Sequence, residues 1–177
     1  MKLKGWKYVI STVAIACAMT SPAATGQVLI NAITGQPLDL TEGREEGRDT
    51  PAVKTFLQTM QNPYNEDEQA LVKGRSLYNT ACSGCHGYYG EGKIGPALNN
   101  DSWSYELDTD KGLFEVIFGG ADRQMGPQNE ILTQDEILQV MAWIRHMYIG
   151  EPDTIFWYTD EQLAKFKPFN QEDYPHN

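Results

Sequence analysis

The chain has 177 residues, of which 41% are hydrophobic, and its formal net charge is −10 at neutral pH. This length predicts one domain with extensions. The acidity makes nucleic acid an unexpected partner, because nucleic-acid affinity rests on basic groups that neutralise phosphates. Two interpretations of the acidity remain open: it can keep a protein soluble, or it can steer an encounter with a basic patch on a partner.

Residues 1–24 are predicted to be a secretory signal peptide. A basic start is followed by a mostly apolar stretch over 8–19 and by small residues, with cleavage expected after Ala23 or Ala24. The apolar stretch is too short for a comfortable membrane span, so a cleaved signal is favoured over an uncleaved anchor. We therefore expect a periplasmic protein without Cys17. Subtracting the three lysines of the signal from the net charge of −10 gives −13 for the mature chain.

Residues 25–64 are predicted to be an amino-terminal extension that glycine and proline residues break up. A short helix is expected over 51–60, because Pro51 suits a first helical turn and apolar residues then recur at helical spacing. The domain proper is expected over 65–150 and should begin with a helix over 65–80. Asn65 is its candidate N-cap, since the acidic residues that follow it favour the helix dipole.

The second helix leads directly into a C-x-x-C-H run, here called the haem motif, which reads Cys82-Ser83-Gly84-Cys85-His86. Two thiols at this spacing can bond the two vinyl groups of one porphyrin, and the adjacent histidine can bind the iron. A thioredoxin-like site would need a βαβ context that the pattern lacks. A zinc site would need further ligands at zinc spacing. The sequence therefore predicts one haem c, held covalently by Cys82 and Cys85.

A glycine-rich segment follows the haem motif and reaches Gly95 and Pro96. A ligating histidine needs a partner for its other ring nitrogen, which fixes its tautomer and basicity. A carbonyl of the Gly95-Pro96 pair is the candidate, because proline stiffens the backbone, although an ordinary turn proline is also compatible. A helix over 108–118 is expected next, ending at two glycines.

An electron carrier needs a second axial ligand for its iron. The candidates after the haem motif are Met125, Met141, His146, Met147 and His176. Met141 lies in the apolar stripe of a helix predicted over 134–149, where packing is the expected role. Met125 lies in a loop whose Gly and Pro residues can hold a non-helical backbone. We predict His86 and Met125 as the axial ligands, a pair that raises the potential; the alternative is a Met125 that only packs on the haem edge.

The last part of the chain is also predicted to be helical. Thr133 and Glu136 form a capping-box pattern at the start of the helix over 134–149. Residues 151–177 form a carboxy-terminal extension with a short helix expected from Thr159. Its many aromatic residues predict that it packs on the core. No alternating strand pattern competes, so the sequence predicts an all-α fold.

This order of elements resembles the class I cytochromes c, and longer strings make the resemblance specific to the cytochrome c-L family, the electron acceptors of quinoprotein methanol dehydrogenases. The resemblance covers roughly residues 30–150. The strings that carry it are residues 47–54, 82–87, 91–96, 110–114, 117–121, 125–129 and 141–146. The haem motif alone would fit any cytochrome c, whereas the string over 47–54 and the last two strings are far more selective.

The resemblance implies a class I cytochrome c fold with both extensions wrapped on the core. It implies that Cys82 and Cys85 bind haem and that His86 and Met125 are its axial ligands. It also places Trp103 and Tyr105 in the segment that lines the haem pocket, together with Pro96. Some family members carry further cysteines outside the haem motif, and the predicted mature chain has none.

The function that these features predict is that of a periplasmic one-electron carrier and not of an enzyme. It would accept electrons from a methanol dehydrogenase that contains pyrroloquinoline quinone (PQQ), calcium- or lanthanide-dependent, and pass them to another cytochrome c or a terminal oxidase. A monomer with no membrane span in the mature chain is expected. Three alternatives stay open: a haem peroxidase with an open sixth iron position, a module of a larger complex, and an electron donor for a different periplasmic oxidoreductase.

Overall fold

The computed structural model describes residues 27–175, so the predicted signal peptide, Cys17 and His176 lie outside the described residues. Within them, the helices are α1 (Pro51–Thr59), α2 (Glu68–Ala81), α3 (Ser83–His86), α4 (Asp110–Gly119), α5 (Gln134–His146) and α6 (Asp160–Leu163), with 3-10 turns at Pro152–Thr154 and Gln171–Asp173. The one β-type pairing in this part of the chain is an isolated bridge between Ile30 and Pro37. The predicted all-α fold is confirmed. No described helix is long and apolar enough to cross a bilayer.

Helices α2 and α5 cross at close range and form the centre of the fold. The crossing depends on Gly74 of α2, because a Cβ there would lie 2.0 Å from the carbonyl oxygen of Gln139 in α5. Around it the core is built from fully buried side chains of α5 and of its neighbours, among them Tyr78, Phe114, Met141 and Trp143.

The ends of several helices follow the predicted capping patterns. Pro51 occupies the first turn of α1, behind an N-cap at Thr50. At the start of α5 both hydrogen bonds of the capping box between Thr133 and Glu136 are present. Thr159 caps the short helix α6. These local signals were sufficient because each cap is satisfied within three residues of chain.

Three predicted helix limits are wrong by two residues or more. Helix α2 begins at Glu68, and its N-cap is Asp67, whose carboxylate accepts a hydrogen bond from the backbone N–H of Ala70. Asn65 is buried instead, and its side-chain amide donates to Asp110 and to the carbonyl of Trp157. Helix α4 begins at residue 110 behind a Thr109 cap, and α5 ends at residue 146, three residues earlier than expected.

The amino-terminal segment wraps around the start of α5 and along α4. The backbone N–H of Ile30 donates to the carboxylate of Glu115 in α4. The side chain of Gln134 donates to the carbonyl of Leu40 at 2.8 Å. Phe56 of α1 is fully buried, with its ring centroid 4.8 Å from that of Phe114. This segment is thus part of the packed fold.

The carboxy-terminal extension packs on the core through its aromatic residues, as predicted. Trp157 lies edge-on to Tyr148, with ring centroids 5.0 Å apart. Tyr174 lies edge-on to Trp143 of α5 at 5.2 Å. Arg75 of α2 donates to the carbonyl oxygen of Tyr174 and lies over its ring. The extension therefore covers the outer side of the α2–α5 pair.

Candidate haem site

The two cysteines and the histidine of the haem motif lie on one helical turn. The carbonyl oxygen of Cys82 accepts hydrogen bonds from the N–H groups of Cys85 at 3.1 Å and of His86 at 3.0 Å. Residues three and four positions apart share one side of a helix, so all three side chains project in one general direction. Neither cysteine forms a disulfide within the described residues: Cys82 is half-buried and Cys85 is exposed. Burial, with a contribution from Cys85, raises the pKa of the Cys82 thiol to about 12.

The loop after the motif fixes the imidazole of His86. Its Nδ1 lies 2.9 Å from the carbonyl oxygen of Pro96. A carbonyl only accepts, so Nδ1 carries the proton and Nε2 keeps its lone pair. The loop is folded back by two backbone bonds, from Gly92 to the carbonyl of His86 at 2.7 Å and from Gly95 to the carbonyl of Cys85 at 2.9 Å. The expected contact with the Gly95-Pro96 pair is confirmed.

The backbone of Gly95 also packs closely against the imidazole of His86, a role that the sequence analysis missed. A Cβ at position 95 would lie 2.7 Å from Cε1 and 2.9 Å from Nδ1 of His86. Only glycine lets the backbone come this close to the ring. A C-x-x-C-H motif carries no signal for this contact, because it depends on how the following loop folds back.

Tyr78 of α2 holds the residue that follows the haem motif, a second role that the sequence analysis missed. Its side chain is fully buried, and its hydroxyl donates to the carbonyl of Gly87 at 2.8 Å. Burial raises the pKa of Tyr78, with further contributions from Cys82 and Glu91. The hydroxyl therefore stays protonated and holds the first residue after His86.

Met125 lies in a tight non-helical loop, as the sequence predicted for its backbone. The loop starts at Gly120, whose φ of 83° is in the left-handed region. It closes with a hydrogen bond from the N–H of Ala121 to the carbonyl of Met125 at 2.9 Å. The Met125 side chain is half-buried and packs on the same core cluster as Cys82. Met125 and Cys82 therefore both border this core cluster.

Tyr105 contacts this loop, whereas Trp103 packs against Tyr148 and Trp157. The hydroxyl of Tyr105 accepts a hydrogen bond from the N–H of Asp122 at 2.9 Å, which ties the segment to the loop that carries Met125. Trp103 is half-buried and packs on the same core cluster. Its indole Nε1 is buried and has no hydrogen-bond partner among the described residues.

These residues fit a haem c. Two free thiols on one turn can form two thioether links, and the imidazole offers Nε2 from a fixed ring. A thioether side chain, that of Met125, is held on a second loop. The candidate donors are an imidazole nitrogen and a thioether sulfur, the pair that binds haem iron in cytochromes c.

The other candidate ligands have different surroundings. Met141 and Met147 are fully buried in the hydrophobic core. Nδ1 of His146 lies 3.1 Å from a carboxylate oxygen of Glu66, and its Nε2 lies 2.8 Å from the hydroxyl of Tyr174. Between residues 27 and 175, no three His, Cys, Asp or Glu side chains are grouped so that they could hold a metal ion.

Comparison with known proteins identifies the fold and the cofactor. A family model described as "Cytochrome C oxidase, cbb3-type, subunit III" matches residues 69–144, which include the haem motif. Cytochrome c-L of Methylorubrum extorquens is 53% identical over 148 residues, which are 83% of this chain and 75% of that protein.

Two solved structures are similar over 84% of this chain. Cytochrome cL of the marine methylotrophic bacterium Methylophaga aminisulfidivorans has a TM-score of 0.77 and 51% identity, with 99% of its chain covered. Cytochrome cL of Hyphomicrobium denitrificans has a TM-score of 0.77 and 48% identity, with 90% covered. The class I cytochrome c fold is confirmed, and haem c is the cofactor that the family and the C-x-x-C-H motif imply. The chain belongs to the cytochrome c-L family, whose members are electron-transfer proteins and not enzymes.

Proposed function

We propose that this protein is the periplasmic electron acceptor of a PQQ-dependent methanol dehydrogenase and passes electrons to another cytochrome c or a terminal oxidase. The proposal rests mainly on sequence identity: about half of the residues are identical to those of cytochromes c-L over more than four fifths of the chain. A shared haem domain alone would leave the donor open. Similarity that extends beyond that domain favours the donor of this family.

In this proposal Cys82 and Cys85 attach the haem, and His86 and Met125 are its axial ligands. One contact supports the assignment of His86: the Pro96 carbonyl holds the proton on Nδ1, and Nε2 is therefore the nitrogen with a free lone pair. Support for Met125 comes from its half-buried position in a loop that packs on the same core as Cys82.

The haem, when bound, supplies an iron that changes its charge by one electron. The residues of this chain hold the surroundings of the iron in the same arrangement in both redox states. Pro96 and Gly95 fix the plane of the His86 ring, and the short Met125 loop fixes the second ligand. Small structural change between the two redox states is what a carrier needs.

The domain organisation belongs to the same proposal. Residues 25–64 are the amino-terminal extension, 65–150 the cytochrome c domain and 151–177 the carboxy-terminal extension, after export with residues 1–24 as the signal. The mature protein is proposed to be a monomer, because an electron carrier must form small, short-lived contacts with its partners.

The decisive experiment mixes the purified, oxidised haem protein with methanol dehydrogenase and methanol and follows the absorption of the reduced haem. We expect rapid reduction that requires both the dehydrogenase and methanol. Samples without methanol, and samples with a different PQQ-dependent alcohol dehydrogenase and its own substrate, are the controls. Equal reduction with the unrelated dehydrogenase would contradict the assignment of the donor.

A second candidate is a cytochrome module that serves a different periplasmic oxidoreductase. The match of residues 69–144 to a model named for an oxidase subunit favours it. The reduction experiment separates the two, because a module that serves a different oxidoreductase would stay oxidised with methanol dehydrogenase and methanol.

A further inference from the structure

A cleft of about 730 Å³ opens between four parts of the chain. One side is formed by the amino-terminal segment near Ile30, and another by residues 101–108. Helix α4 and the segment from Thr154 to Phe156 complete it. Neither cysteine of the haem motif lines this cleft, and neither do His86 and Met125, so it is a separate feature of the surface.

The cleft has an exposed apolar part. Phe156 is 69% exposed and Ile30 is 38% exposed. Trp103 and Tyr105 add aromatic surface to its wall. Apolar groups that stay in contact with water inside a concave surface are typical of interaction sites. The cleft therefore has the shape and the composition to receive an apolar side chain.

The rim of the cleft is acidic. Four lining residues are Asp or Glu, and within the described part of the chain no Lys or Arg lines it. Glu115 is already engaged, since it pairs with Lys111 and accepts from the N–H of Ile30. Asp101, Glu106 and Asp108 form no ion pair among residues 27–175. Walls of one sign concentrate the field in a cleft, so this surface attracts positive charge.

The cleft shares its wall with the proposed haem pocket. Tyr105 accepts a hydrogen bond from the backbone of Asp122, in the loop that carries Met125. Trp103 and Met125 pack on the same core cluster. Tyr105 therefore belongs both to the wall of the cleft and to the contacts that hold the loop of Met125.

We propose that this cleft is the docking surface for a segment of an electron-transfer partner that carries Lys or Arg together with an apolar side chain. The basic groups face Asp101 and Glu106, and the apolar side chain contacts Phe156. Tyr105 connects this surface to the loop that carries Met125. The proposal deepens the proposed function and rests on it only for the identity of the partner.

The kinetic test compares two double variants of the haem-loaded protein. Asp101→Asn with Glu106→Gln removes two exposed carboxylates from the cleft, and Glu161→Gln with Asp173→Asn removes two from the carboxy-terminal extension. With methanol dehydrogenase at low salt, we expect the cleft variant to be reduced roughly three- to tenfold more slowly and with a flatter salt dependence. The control variant should stay within about twofold of the wild type. Equal losses in both, or no loss in either, would overturn the proposal.

The apolar contact has its own matched pair. Phe156→Ser and Val72→Ser each remove an exposed apolar side chain, at 69% and 74% exposure. We expect Phe156→Ser to slow reduction at low and high salt alike and Val72→Ser to have no effect. Reduction by ascorbate, a small reductant that needs no docking, should be the same in all variants. An unchanged rate for Phe156→Ser would remove the apolar contact from the proposal.

A binding test separates the cleft from the identity of the donor. A short peptide of alternating lysine and leucine is titrated into the reduced, haem-loaded protein, and NMR follows the backbone N–H groups and the indole of Trp103. Shifts centred on residues 101–106 and 156 support the proposal, even if methanol dehydrogenase fails to reduce the wild type. Shifts spread evenly over the acidic surface would overturn it. A further control compares magnesium chloride with sodium chloride at the same ionic strength. If magnesium chloride produced the same shifts as the peptide and sodium chloride did not, the cleft would be a cation site and the proposal would be overturned.

Discussion

The surroundings of His86 depend on residues that carry no redox chemistry. The Pro96 carbonyl selects the tautomer of the His86 imidazole, and the backbone of Gly95 lies close to the imidazole ring. The hydroxyl of Tyr78 donates a hydrogen bond to the carbonyl of Gly87. Each acts through a distance of about one hydrogen bond or one van der Waals contact. Single substitutions should therefore separate the ligand itself from the residues that position it.

The first prediction concerns the backbone contact at position 95. Gly95→Ala places a methyl group within 2.7 Å of the His86 ring, so the imidazole must rotate or move. We expect weaker haem ligation, seen as altered paramagnetic NMR shifts of the His86 ring and a changed midpoint potential. Gly84→Ala is the matched control, because a Cβ there meets nothing within 4 Å. Identical spectra for the two variants would show that this contact has no influence on the ligand.

The second prediction concerns Met125. Met125→Ala should lower the midpoint potential, because loss of the thioether favours the oxidised iron. It should also open the iron to carbon monoxide in the reduced state. Met141→Leu, a change of similar volume in the core, should leave both properties unchanged. If carbon monoxide binds the reduced wild type as readily as the variant, Met125 is not the ligand, and the peroxidase alternative regains support.

At the level of secondary-structure elements, the sequence predicted most features that depend only on neighbouring residues. The haem motif, the Pro51 start of α1 and the capping box of α5 are each complete within a few residues, so they needed no tertiary information. Asn65 is the instructive failure. Its local pattern is that of an N-cap, but its side-chain amide donates hydrogen bonds to Asp110 and to the carbonyl of Trp157. These partners are 45 and 92 residues away along the chain.

The site divides in the same way. Cys82, Cys85 and His86 are evident from the motif as candidates. The contact of Gly95 with the His86 ring and the hydrogen bond of Tyr78 to Gly87 depend on the fold of the loop and on the burial of α2. No periodicity or spacing could have predicted them, because many loops of this length and composition would leave the ring free.

The third prediction tests the crossing of α2 and α5. Gly74→Ala directs a methyl group at a backbone carbonyl 2.0 Å away, and neither helix can yield without moving its other contacts. We expect a loss of about 1–3 kcal/mol in the free energy of unfolding, measured by denaturant titration of the haem-loaded protein. Ser76→Ala, on the exposed side of α2, should change stability by no more than about 0.5 kcal/mol. A stable Gly74→Ala protein would mean that the helices can separate freely.

On the scale of the whole molecule, one buried ion pair joins distant parts of the chain. Arg145 of α5 donates to Asp110 at 3.0 Å and to the carbonyl of Leu107, while its guanidinium lies 4.1 Å from the ring centre of Trp157. The second oxygen of Asp110 accepts from the N–H of Asn62. Burial lowers the pKa of Arg145, and Asp110 opposes this shift. The carboxy-terminal extension is thus connected to the centre of the fold.

The fourth prediction concerns pH and the attachment of that extension. Burial alone would raise the pKa of Glu66, but hydrogen bonds from His146 and Tyr158 hold it below its ordinary value. A lowered pKa in the folded state means that this stabilisation is present above the unfolded pKa of about 4.3 and is lost as the pH falls through the folded value. We expect the extension to loosen in acid, seen as faster amide exchange over 158–175.

The matched variants are Glu66→Gln and Glu161→Gln. The first removes the titrating carboxyl, so exchange over 158–175 should already be faster at neutral pH and should depend less on acid. The second changes an exposed carboxyl that pairs only with Lys165 and should behave as the wild type. Acid-induced loosening that persists unchanged in Glu66→Gln would assign it to another group.

The burial of Cys82 has a consequence for the order in which the protein matures. A thioether forms from a reactive sulfur, and in the closed fold this thiol is half-buried with its pKa raised to about 12. The loop beyond it is joined to the last residues of the chain, since the Tyr89 hydroxyl donates to the carbonyl of Tyr174. We therefore expect the exported chain to receive its haem while it is still open, and chains that close early to be poor substrates for attachment. Adding haem under reducing conditions to unfolded chains and to chains already folded without haem would measure that difference.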